Sequence, residues 1–253
     1  MIKLVLSLSI LISTIVHSKE ISIVSDYWCP INCKPNSIRP GYMIEILQNI
    51  FSKEGHSIKY GLMNWTRSIQ SARRGEHDII VGAYKSDARD FLFPVEELGF
   101  SGDLFYVNKE SNWRYKKIDS LKKVRLGVTK GYSYGDEIDS YVKTNKENEK
   151  RIDIITGKNV FTRSVQKLLL KRVDVIIENE YVSNYFFKSN KKFLKNIKRS
   201  SSAKNHQKIY AAFSPNKVSS KEYISIFDKG IRRLRKSGEL SVILNKYGLK
   251  DWK

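Results

Sequence analysis

Arg89 is the side chain whose type and setting best suit chemistry. It stands in Ser86-Asp87-Ala88-Arg89, just beyond the apolar run Ile79-Ile80-Val81. A run this short reads as a buried strand. Ligands of open α/β sheets bind beyond the carboxyl ends of strands. Arg89, with Gly82 and Tyr84 before it, therefore lies where a guanidinium could hold a small anion through two hydrogen bonds. A surface ion pair after a core strand is the plainer alternative. A second anion-friendly pattern is Gly131-Tyr132-Ser133-Tyr134-Gly135, ahead of a helix expected from Asp136. Backbone N–H groups at a helix start favour negative charge, although Ser133 could equally be an ordinary cap.

These residues need elements to position them. Trp65, Ile69 and Ala72 fall at helical spacing, and Gly75 ends that helix. Further strands are expected at Glu20–Ser25, Ile58–Leu62, Leu104–Val107, Val124–Val128, Ile152–Ile155, Val173–Ile177 and Ile209–Phe213. Helices are expected at Met43–Phe51, Asp136–Lys143, Thr162–Lys171, Ser220–Ser237 and Glu239–Tyr247. An internal echo links the two halves. Thr66-Arg67-Ser68-Ile69-Gln70 recurs as Thr162-Arg163-Ser164-Val165-Gln166, and in both copies an aspartate follows the threonine by twelve residues, Asp78 and Asp174. The spacing implies one α/β module used once in each half.

Residues 1–18 read as a secretory signal: Lys3, an apolar stretch from Leu4 to Val16, then Val16-His17-Ser18 at the cleavage position. Export to the periplasm makes a Cys29–Cys33 disulfide the default for the chain's two cysteines. With only His56, His77 and His206 beyond the signal, no metal-ligand cluster or cofactor motif is legible. The net charge of +20 would suggest nucleic acid in a cytosolic protein, but the signal argues against that partner. The basic run Lys188–Lys208 reads as a solvated face.

The order helix, Gly-x-x-Asp, apolar strand, Ser-x-x-Arg, Phe-x-x-Pro over residues 65–94 resembles the extracellular solute-binding proteins of family 3. These are periplasmic receptors for polar amino acids that serve ABC importers. The resemblance implies an α/β, two-lobed periplasmic-binding-protein fold of type II. Lobe 1 would hold residues 19–108 plus 209–253 and lobe 2 residues 109–208, with crossings near Asn108–Ser111 and Asn205–Ile209. It implies that Arg89 holds a ligand carboxylate and that Ser133 and Tyr134 close onto the same group. Tyr27, after the first strand, and Trp65 would wall the ligand. The expected partners are a small-molecule ligand and a membrane ABC permease, and the expected state is a monomer.

One segment departs from the family pattern. In Asp174-Val175-Ile176-Ile177-Glu178-Asn179-Glu180, Asn179 occupies the place where an aspartate takes the ligand ammonium in typical amino-acid receptors. Strand alternation turns Glu178 away from Asn179, which makes Glu180 the expected source of negative charge. The leading reading is a non-enzymatic receptor for an amino acid or similar small carboxylate. A cyclohexadienyl-dehydratase-like enzyme on the same scaffold, or a ligand sensor acting in trans, are the alternatives.

Overall fold

The computed structural model describes residues 18–253. The expected signal peptide lies, Ser18 apart, outside those residues. The chain opens with β1 (Glu20–Ser25), α1 (Tyr42–Ser52), β2 (Ser57–Leu62), α2 (Trp65–Arg73), β3 (Ile79–Ala83) and β4 (Gly99–Ser101). It continues through β5 (Asp103–Asn108), β6 (Leu126–Thr129), α3 (Asp136–Asn145), β7 (Ile152–Ile155), α4 (Val160–Leu169), β8 (Val175–Asn179), α5 (Glu180–Ser189) and β9 (Ile197–Ser202). β10 (Gln207–Phe213), α6 (Ser220–Ser237) and α7 (Glu239–Lys246) close it.

The strands form two five-stranded sheets, ordered β2-β1-β3-β10-β4 and β7-β6-β8-β5-β9. The two are built alike. In the first, β1 runs parallel to β2 and β3 while β10 is antiparallel to β3. In the second, β6 runs parallel to β7 and β8 while β5 is antiparallel to β8. The sequence echo extends to individual hydrogen bonds. Asp78 accepts from the Ser22 N–H at 2.9 Å and Asp174 from the Arg125 N–H at 2.8 Å. Each aspartate ties the start of its strand to the neighbouring strand, and so fixes where the two strand ends emerge.

From its sequence, Leu104–Val107 is expected to run out of the first lobe. The strand instead lies inside the second sheet, paired with β8 and β9. Leu104 and Tyr106 pack with Phe161 and Phe187 on one face, and Phe105 and Val107 with Tyr115 and Leu126 on the other. A central strand is apolar on both faces, and such a run says nothing about which sheet buries it. The chain therefore leaves the first sheet at Gly102, not near Asn108–Ser111, and returns between β9 and β10. The two crossings touch: Asn205 Oδ1 accepts from the Asp103 N–H at 2.9 Å, and its Nδ2 donates to Asp103 Oδ2 at 2.5 Å.

The first lobe's helices bury a continuous core. Met43, Ile46, Leu47 and Ile50 of α1 meet Phe227, Ile231 and Leu234 of α6, all fully buried. Gly230 allows the approach, since a Cβ there would come within 2.8 Å of Ile50 Cγ1. Three elements carry no clear signal in the sequence. β4 is three residues long, β9 reads as part of a basic run, and α5 carries aromatic residues around much of its circumference.

Candidate functional site

Strand ends from both sheets converge on one cleft. The first lobe supplies Asp26 and Trp28 after β1, Trp65 at the start of α2, and Gly82, Tyr84 and Asp87 after β3. The second supplies Asp103 at the start of β5 and Tyr132, Ser133 and Tyr134 after β6, with Glu178 and Asn179 at the end of β8 beside them. The lobes are latched by their own side chains. Trp28 Nε1 donates to Glu178 Oε1 at 2.9 Å, and Asn179 Nδ2 donates to Tyr84 Oη at 3.2 Å. The Tyr132 hydroxyl donates to Asp26, and the Ser86 and Ser133 hydroxyls pair at 3.0 Å. The closed cleft encloses about 20 Å³, room for roughly one water.

Local sequence holds Trp28 in place. The Cys29–Cys33 disulfide closes a tight loop, and the Trp28 N–H donates to Asn32 O at 2.9 Å. Asn32 in turn donates to Ser25 Oγ and Asp26 O, both at 2.5 Å. Gly82 sits under the indole at φ +89°, and a Cβ there would lie 3.2 Å from Trp28 Cε3. Glycine is required at that position for backbone conformation and for room.

The cleft is acidic. Burial pushes Asp26 up to about 6, Asp103 to about 7, and Asp87 and Glu178 to about 8. The carboxyls also raise one another: Asp26 and Asp103 act on both Asp87 and Glu178. Desolvation favours the neutral acid, and like charges add to it. Among the described residues no Lys, Arg or His lines this cleft, although the chain carries an excess of twenty positive charges.

The expected site residues divide. Trp65, Gly82, Tyr84, Ser133 and Tyr134 line the cleft. Asn179 is fully buried and bonded to Tyr84. Tyr27 is 39% exposed and lines an adjoining chamber. Arg89 is not brought to the cleft. It is exposed and lines a separate open groove with Lys85, Lys208 and Asp136. Glu180 also faces outward, 3.7 Å from Arg199. β8 ends at Asn179, whose Oδ1 caps α5 by accepting from the Tyr181 N–H at 2.9 Å. Glu180 is thus a helical residue, and strand alternation does not reach it. Glu178, not Glu180, is the buried acid.

Two of the donors expected to meet a ligand carboxylate, the Ser133 hydroxyl and the Tyr134 N–H, are already engaged. Asp139 accepts from Ser133 Oγ at 2.6 Å and from the Tyr134 N–H at 2.7 Å. Asp87 accepts from the Tyr84 N–H at 2.8 Å. Each lobe answers its own strand-end N–H with an internal carboxylate. Asp26, Asp87, Asp103 and Tyr132 were not singled out from sequence. The one available signal was Asp87, an acid inside the Ser-x-x-Arg segment itself. Among the described residues no group of His, Cys, Asp and Glu is arranged to hold a metal ion, and no helix is long and apolar enough to cross a membrane.

Two α/β lobes closed over a cleft at their strand ends define a binding protein of the type II periplasmic fold. The chain matches the family model of the bacterial extracellular solute-binding proteins, family 3, over residues 21–250, and belongs to that family. It is 25% identical over 231 residues to a probable histidine-binding protein of Campylobacter jejuni, covering 87% of this chain and 81% of the relative. Among solved structures it resembles a mutant of ArgBP from T. maritima, with TM-score 0.73 and 17% identity over 90% of this chain and 94% of that one. A histidine kinase sensor domain with similarity to periplasmic binding proteins is equally close in fold, with TM-score 0.73 and 17% identity over 91% and 97% of the two chains.

Proposed function

We propose that this chain is a periplasmic receptor that captures a small organic cation between its lobes, as a monomer, and delivers it to an ABC permease. The observation that carries the reading is the cleft's inventory among the described residues: Asp26, Asp87 and Asp103, with Glu178 beside them, and no basic side chain. A buried cation needs compensating negative charge, and these carboxyls supply it. A carboxylate ligand would need free donors and a cation, yet Asp139 holds the Ser133 hydroxyl and the Tyr134 N–H, Asp87 holds the Tyr84 N–H, and Arg89 lies outside. The relatives named for histidine and arginine fit a preference for basic solutes. The lobes of the receptor are the two sheets with their helices, hinged at Gly102 and at 203–206.

A dehydratase-like enzyme is the second reading, because Glu178 is an acid that burial keeps protonated near neutral pH. Prephenate, however, carries two carboxylates, and this cleft offers them no cation. Calorimetry with matched pairs tests the proposal. Histamine and agmatine should bind at least as tightly as histidine and arginine, and imidazole-lactate, which keeps the carboxylate but lacks the amine, should bind worst. Tight imidazole-lactate binding with no amine binding would overturn the reading.

A further inference from the structure

A second and larger cavity adjoins the cleft. It measures about 290 Å³ and is walled by Tyr27 and Trp28 from the first lobe and by Phe161, Val182, Tyr185 and Phe186 from the second. Its aromatic wall is held from behind. Phe186 stacks on Phe193 at 5.8 Å and 6°, and meets Phe161 edge-on at 5.0 Å. Phe161 in turn meets Phe187 and Tyr106. Tyr106, Phe161, Phe186 and Phe187 belong to β5, α4 and α5, and Phe193 follows α5, so this side of the chamber is backed by the second lobe's core packing.

Glu178 lines this chamber. Its residue is 2% exposed. Oε1 accepts both the Trp28 Nε1–H and the Asn179 N–H, each at 2.9 Å. Among the described residues nothing hydrogen-bonds to Oε2. A carboxyl with one oxygen doubly engaged and the other free, in a chamber of aromatic rings, is fitted to an ammonium. The carboxylate supplies charge, and the faces of Tyr and Trp attract cations. The rest of the wall sets these rings and Val160 and Val182 beside the polar Asn159, Thr162, Ser189 and Asn190, and the volume is generous, since a cavity of about 150 Å³ already admits benzene.

We propose that this chamber is a second compartment of the solute site, and that it takes the aromatic or branched apolar body of an amine whose ammonium pairs with Glu178 Oε2. The proposal rests on the organic-cation reading and narrows it to amines with an apolar tail. Trp28 stands between the cleft and the chamber and contributes to the walls of both. Thr162, at the first turn of α4, also lines the chamber and offers a site where a larger side chain would fill it.

The test is calorimetry on the exported protein with methylamine, 2-phenylethylamine and 3-phenylpropionate. 2-Phenylethylamine should bind at least about tenfold more tightly than methylamine, the scale of apolar-group discrimination, and 3-phenylpropionate should not bind. Thr162→Trp should weaken 2-phenylethylamine by more than it weakens methylamine and so remove that advantage. Ser189→Trp, at the exposed end of α5, is a second filler should the first disturb folding. Glu178→Gln should weaken both amines. Equal affinity of the two amines, or equal loss on filling, would overturn the chamber's role and leave the organic-cation reading standing. Failure of every amine, histamine and agmatine included, would remove both.

Discussion

Trp28 and Glu178 stand on different lobes and share a 2.9 Å hydrogen bond that is almost sealed from water, with the two residues 6% and 2% exposed. The bond exists only while the lobes are together, so it belongs to the closed state alone. Trp28→Phe keeps an aromatic ring and deletes the donor. Leaving a buried acceptor short of a partner costs about 1–3 kcal/mol. The expected outcome is a shift toward open conformations, read as a larger radius of gyration in small-angle scattering. An unchanged radius and unchanged melting temperature would mean the bond does not latch the lobes.

Arg89→Met should leave binding of histamine and of histidine within about twofold, because the side chain lies in the open groove with Lys85 and Lys208. A loss of about 2–5 kcal/mol, the cost of truncating a buried charge pair, would restore Arg89 as an anion anchor and displace the cation reading.

Asp139 holds the donors that the family resemblance assigns to a ligand carboxylate. Asp139→Ala removes that internal anion from Ser133 and the Tyr134 N–H. Stability should fall by about 1 kcal/mol, as for loss of a helix cap, measured by urea denaturation. Carboxylate-bearing solutes should gain affinity at the same time. No gain would show that Ser133 and Tyr134 do not face the solute.

The two-lobed fold was readable because its signal is repeated. Asp78 and Asp174 follow matching helices by the same spacing, and each makes the same bond to a neighbouring strand. The placement of β5 was not readable, since a strand buried on both faces fits the centre of either sheet. The cleft was half readable. Gly82, Tyr84, Ser133 and Tyr134 follow from strand ends, which the apolar pattern marks. The role of Glu178 was hidden because β8 passes directly into α5, so periodicity changes from two to 3.6 at Asn179 and sends Glu180 outward. Arg89 was misleading for a related reason: a position beyond a strand end fixes a neighbourhood, and Asp87, two residues earlier, is the side chain that turns inward.

The desolvated acids of the cleft predict an inverted pH response. Most paired carboxylates have lowered folded pKa values and lose stability as pH falls. Here the ordinary values of 3.8 for Asp26, Asp87 and Asp103 and 4.5 for Glu178 rise on burial to about 6, 8, 7 and 8 respectively. Between the ordinary and the folded values the folded protein holds more protons than the unfolded chain, so stability must fall as pH rises. The contribution is complete below about pH 4 and disappears progressively as pH climbs through 6 to 8. The surface carboxylates held low by partners, such as Asp90 beside Arg73, are already fully ionised in that window and do not oppose it. Among the described residues the titratable groups near Glu178 are the acids Asp26 and Asp103 and the hydroxyls of Tyr84, Tyr106, Tyr132 and Tyr134, with Trp28 bonded to it, and none of them is a cation. Melting temperature should therefore drop by several degrees between pH 5 and pH 8, and Glu178→Gln or Asp103→Asn should flatten the slope. Binding of an organic cation needs the ionised carboxylates, so its affinity should rise over the same interval while stability without solute declines. Calorimetry in buffers of different ionisation enthalpy should show proton release on binding near pH 7. Proton uptake, or melting that improves steadily toward pH 8, would mean these carboxyls are ionised in the folded protein and that the cleft is balanced by a cation.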